Sequence, residues 1–132
     1  MMQIDVVGFD SSTGLVAFRY GAGPVVGRWR GDEAPSLGPI YVELDVLDDC
    51  QWGADIQVVQ DGMAQGIYPG DPGEGSCIVV GRCLEVTYDD VLILSVLNSP
   101  IQIDTAGVAP TRTNGLPMSV RCVDLEVSPE KL

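Results

Sequence analysis

The chain has 132 residues, 45% hydrophobic and 20% charged, enough apolar material to bury a core without disulfide or metal staples. Nineteen Asp and Glu against seven Lys and Arg leave a net charge of −12, and there is no histidine. That field repels a phosphate backbone, so nucleic-acid binding is not expected, and the commonest general base and metal ligand is missing.

The first residues, Met1-Met2-Gln3-Ile4-Asp5, lack the basic and long apolar regions of a signal peptide. No apolar run approaches the roughly 20 residues needed to span a membrane. The expectation is one domain over 1–132, located in the cytoplasm, with no membrane partner. The four cysteines, Cys50, Cys77, Cys83 and Cys122, form no CxxC and are expected reduced and mostly buried. A Cys77–Cys83 bridge within one strand is too long to close, whereas a long-range pair stays open.

Sixteen glycines and nine prolines separate short stretches rich in Val, Ile, Leu and Tyr, a β signature. The first thirty residues read as strands at about 3–9, 15–20 and 25–30, turning at 10–14 and 21–24. In that register Phe9 faces Leu15, Asp5 faces Arg19, and Tyr20 faces Val25. Ile4, Val6, Val16, Phe18, Tyr20, Val25 and Trp29 then share one face, with Asp5, Arg19, Arg28 and Arg30 on the other. The seam between this meander and the remaining strands is expected at 31–38.

Next, 40–47 alternates, with Val42, Leu44 and Val46 facing one way and Glu43 and Asp45 the other. The Asp61-Gly62 pair predicts a tight hairpin joining 56–60 to 63–67. Residues 68–75, rich in Pro and Gly, read as a surface loop. The longest strand signal is 77–88, turning at Asp89-Asp90 into 91–97; a short strand follows at 101–104. Asn114-Gly115 is a further hairpin signal, leading into a last strand over 118–127 and a frayed tail at 128–132. Together these predict an all-β fold, an antiparallel barrel or sandwich of about nine or ten short strands. At most one short helix is expected, near 35–38 or after Pro100.

The stretch from Ile78 to Leu94, with Gly81 inside its first strand, resembles the opening hairpin of many small β-barrels, OB-folds among them. In those folds a strand glycine permits sharp coiling around the barrel. The resemblance bears on architecture and brings no functional motif.

No chemistry-bearing pattern stands out. Ser-His-Asp and Cys-His arrangements are ruled out, and neither a Gly-x-Ser-x-Gly elbow nor a phosphate loop occurs. Glu43 with Asp45, or Glu85 with a cross-strand neighbour, could in principle work as paired carboxylates, but strand alternation alone accounts for them. The acidic turns lack EF-hand spacing, and aspartate is an ordinary turn residue, so no metal or other cofactor is expected. The Arg19, Arg28 and Arg30 face is read as paired with acidic neighbours, starting with Asp5, in preference to an anion site.

The expected function is therefore binding without catalysis. Small size, acidity and absent catalytic equipment are the profile of bacterial immunity and inhibitor proteins, which meet a basic protein partner with an acidic surface. Asp48, Asp49, Asp71, Glu74, Asp89 and Asp90, all at turns, are the expected partner-binding residues. The alternatives are a structural subunit forming a homo-oligomer, suggested by the near-continuous apolar run 91–97, and a small-ligand-binding barrel.

Overall fold

Alternation of apolar and polar residues shapes the opening meander as its sequence dictates. The computed structural model describes residues 2–60, 62–71 and 73–130. It begins with β1 (Met2–Asp10), β2 (Leu15–Tyr20) and β3 (Ala22–Trp29). Ile4, Val6, Val16, Phe18 and Val25 are buried, while Asp5, Arg19, Arg28 and Arg30 are exposed. Trp29 is half-buried against the core, and its indole N–H donates to the Glu33 carbonyl.

Asp5 stands opposite Arg19 as expected, but a bulge between Val6 and Gly8 shifts the far end by one residue, so Phe9 pairs with Val16 and not Leu15. In the second hairpin Phe18 pairs with Val25 and Tyr20 with Ala22, because β3 starts at Ala22 and the chain turns at Gly21. Val25 thus meets a residue two before the expected Tyr20, and an irregularity between Phe18 and Tyr20 sets Tyr20 three residues from Val25. A shift of two preserves which side chains face inward, so the core face survives the error.

The chain continues through β4 (Gly38–Val46), β5 (Cys50–Gln51), β6 (Ile56–Val58) and β7 (Gly66–Pro69). Then come β8 (Cys77–Val86), β9 (Val91–Val96), β10 (Ser99–Ala106), β11 (Pro117–Cys122) and β12 (Leu125–Pro129). The fold is all-β, with twelve strands among the described residues where nine or ten were expected, and no helix at 35–38 or after Pro100. Residues 35–37 are irregular chain leading into β4 at Gly38, and Pro100 lies inside β10.

Strands β1-β2-β3-β12-β4 close into a five-stranded barrel. The closing contact is parallel, with Glu126 opposite Arg28 and Val127 opposite Trp29. Gly27 permits it: a Cβ there would lie 2.9 Å from Val127 Cγ2. The other strands form a second, barrel-like sheet in the order β5-β10-β9-β8-β11-β6, with β7 on β8. At its centre the β8–β9 hairpin forms as expected, and Gly81 lets the strands coil closely, since a Cβ there would lie 2.5 Å from the Ser95 carbonyl oxygen. One core cluster runs through both sheets, from Ile4 and Phe18 to Leu92, Leu94 and Val120.

Long-range pairing overrides several local signals. β6 pairs with β11 and β7 with β8, so the flanks of the expected Asp61-Gly62 hairpin never meet; Asp61 itself lies outside the described residues. Tyr68 and Pro69 of the expected loop belong to β7, and Pro72 of that loop is not described. Asn114-Gly115 does turn, with the Leu116 N–H donating to the Thr113 carbonyl, but it delivers β11 to β8 instead of making a hairpin. The single strand expected at 118–127 is two strands broken at Val123-Asp124, where the chain leaves the second sheet and enters the barrel. The outward crossing lies after β4, at 47–49, so 31–38 is not the seam. Of the tail, Lys131 and Leu132 lie outside the described residues, while Ser128 and Pro129 belong to β12.

Candidate functional site: an acidic rim

The two crossings between sheets bring acidic turns together. Asp48 follows β4, and its carboxylate accepts the backbone N–H of Val123 and of Asp124, both at 3.2 Å. It clamps the return crossing to the outward one. Asp49, next in sequence, is exposed. Cys50 is fully buried beside them, and burial, with Asp48, Asp55 and Asp49 nearby, pushes its thiol pKa up to about 12. At neutral pH it is held in the thiol form.

Arg121 organises the next part of the rim. It lies 2.9 Å from Glu74 in the β7–β8 loop and 3.5 Å from Asp55, whose carboxylate also accepts the Gln51 N–H. On the other side, Thr105 pairs in register with Cys50, and the Asp90 carbonyl accepts both the N–H and the hydroxyl of Thr105. The Asp89-Asp90 turn therefore sits two strands over from Asp48 and Asp49, with β10 between them. Asp90 has a left-handed backbone (φ 64°), and the Asp89 carboxylate accepts the Thr87 hydroxyl. Asp71 is exposed at the outer loop, its carbonyl accepting the Glu74 N–H.

Of the six expected residues, then, Asp48 is structural and Glu74 is ion-paired. Asp49, Asp71, Asp89 and Asp90 are exposed, and none of these four has a cationic nitrogen within 4.0 Å among the described residues. Asp55 and Arg121 were missed by sequence reasoning, because only the β6–β11 pairing, invisible locally, brings them together.

The arginine face is largely accounted for by ion pairs. Arg28 lies 2.5 Å from Asp124 and Arg30 lies 3.6 Å from Glu126. Both partners come from the β12 region, which the sequence reading did not place beside β3. Arg19 stands opposite Asp5, yet no carboxylate lies within 4.0 Å of it among the described residues.

Glu43 and Asp45 point outward from β4 as its polar face and, with Glu130, line an open hollow of about 410 Å3 against β10. Among the described residues no group of three or more Cys, Asp or Glu side chains is arranged to hold a metal ion, and no helix is long and apolar enough to cross a membrane. No protein-family model, curated protein or solved structure matches the chain.

Proposed function

We propose that this protein is a non-catalytic binding module that meets a basic protein partner with its acidic rim, as an immunity-type or inhibitor protein does, in the cytoplasm. The observation that carries the reading is the exposure of Asp49, Asp71, Asp89 and Asp90 with no cationic nitrogen within 4.0 Å among the described residues, on a chain of net charge −12. Unneutralised carboxylates on turns attract a cationic surface over roughly a Debye length, about 8–10 Å at physiological salt, and steer its approach. Carboxylates spread over three separate turns suit a protein surface better than a small molecule. A pull-down from the native host, run in parallel with a variant carrying Asn at 49, 71, 89 and 90, tests it. A basic protein retained by the wild type and lost by the variant supports the reading; equal retention contradicts it.

A second reading, a homo-oligomer, draws on the outer face of the barrel. Leu15 and Val26 are 37% and 51% exposed and, with Gly8, Phe9 and Ala17, line an open hollow of about 370 Å3. The apolar run 91–97 no longer favours it, because Leu92, Leu94 and Val96 of β9 are completely buried inside the second sheet. Light scattering after size exclusion separates the readings: a concentration-independent monomer removes the oligomer.

A further inference from the structure

Cys77 opens β8 and Cys122 closes β11, and the two are directly opposed in the antiparallel ladder. Their sulfurs are 3.1 Å apart, one thiol donating to the other, and both side chains are buried, at 3% and 1% exposure. Opposed residues on neighbouring strands have Cα atoms about 4.5–5.5 Å apart, inside the range a disulfide can bridge. Cys50, the third thiol nearby, points its sulfur at the Arg121 and Asp48 carbonyls. Cys83 lies six residues along β8 from Cys77, far beyond reach. The geometry thus selects one pair among four free cysteines.

We propose that Cys77 and Cys122 are an oxidisable dithiol that a low-molecular-weight disulfide closes into a single intramolecular bond across β8 and β11. One thiol, as thiolate, attacks a sulfur of the oxidant and expels the first small thiolate, leaving a mixed disulfide. The second thiol attacks the protein sulfur of that mixed disulfide and expels the other small thiolate. Two electrons pass to the oxidant, and the two protons lost by the protein end on the two small thiols. One protein disulfide forms and one small disulfide is consumed.

The setting controls the rate. The hydrogen bond to Cys77 and burial both push the Cys122 thiol up, so it stays protonated in the closed structure. Both sulfurs are buried, so the oxidant reaches them only through local opening of the surrounding structure. The bond would enclose 44 intervening residues, 78–121, and join the end of β11, beside Arg121, to the start of β8, three residues after Glu74.

The test uses the whole chain, purified fully reduced and incubated at neutral pH with oxidised glutathione, followed by intact mass and non-reducing peptide mapping. The expected product is lighter by two hydrogen atoms, with the Cys77 and Cys122 peptides linked. Cys50→Ala and Cys83→Ala chains should give the same link. Stable glutathione adducts without a link, a link involving Cys50 or Cys83, or no product while the denaturant-unfolded chain reacts would each overturn the proposal. Because mapping is done on the wild type, the result does not depend on whether a Cys77 variant folds.

Discussion

The Tyr20 hydroxyl donates a buried 2.7 Å hydrogen bond to the Val96 carbonyl, joining the last residue of β2 in the barrel to the last residue of β9 in the second sheet. Tyr20→Phe keeps the ring and removes this bond between the sheets, so stability should fall by about 0.5–1.5 kcal/mol. Urea unfolding followed by fluorescence measures it; an unchanged midpoint would mean that another donor reaches Val96.

Asp48 ties the two crossings between the sheets. Asp48→Ala leaves the Val123 and Asp124 N–H groups without their acceptor. The expected loss is about 1–3 kcal/mol for the charge-assisted pair, read in the same unfolding experiment. Asp49→Ala, one residue on and exposed, should change stability by less than about 0.5 kcal/mol.

Gly81 has no space for a methyl group. A Cβ there would lie 2.5 Å from the Ser95 carbonyl oxygen and 2.8 Å from Val96 Cγ2. Gly81→Ala must push β8 away from β9 and should cost about 1–3 kcal/mol. Gly14→Ala, where no atom lies within 4 Å, carries only the strain of its left-handed backbone, φ 75°.

Asp10 should titrate below its ordinary 3.8, because the Ser12 hydroxyl and N–H both bond the charged carboxylate. A lowered folded pKa makes its contribution fully present above 3.8 and lost as pH falls through the folded value. Carboxyl carbon shifts followed by NMR should show the low titration in the wild type and its return toward 3.8 in Ser12→Ala.

How much of this was legible in the sequence depends on how far apart the partners lie along the chain. The meander's core face could be read because its partners are local and period two fixes the faces; even a two-residue register error left Val25 inside. The bulge at Val6–Gly8 could not be read, since one extra residue leaves no compositional mark. Non-local pairing escaped altogether. Asp-Gly at 61–62 is a good hairpin signal, yet Ile56–Val58 gains more from β11, and Gly66–Pro69 from β8, than from each other. The rim was half visible: acidic turns can be listed from sequence, but that Asp48 is spent on Val123 and Asp124, and Glu74 on Arg121, follows only from the crossings.

The central claim is recognition of a basic protein through unneutralised turn carboxylates. The most direct measurement is the association rate of the captured partner as ionic strength rises from about 0.01 to 1 M, where the Debye length shrinks from about 30 to 3 Å. The rate should fall steeply, by tenfold or more, while dissociation changes little, and Asn at 49, 71, 89 and 90 should flatten the dependence. A rate indifferent to salt, or a variant with the wild-type slope, would contradict the account.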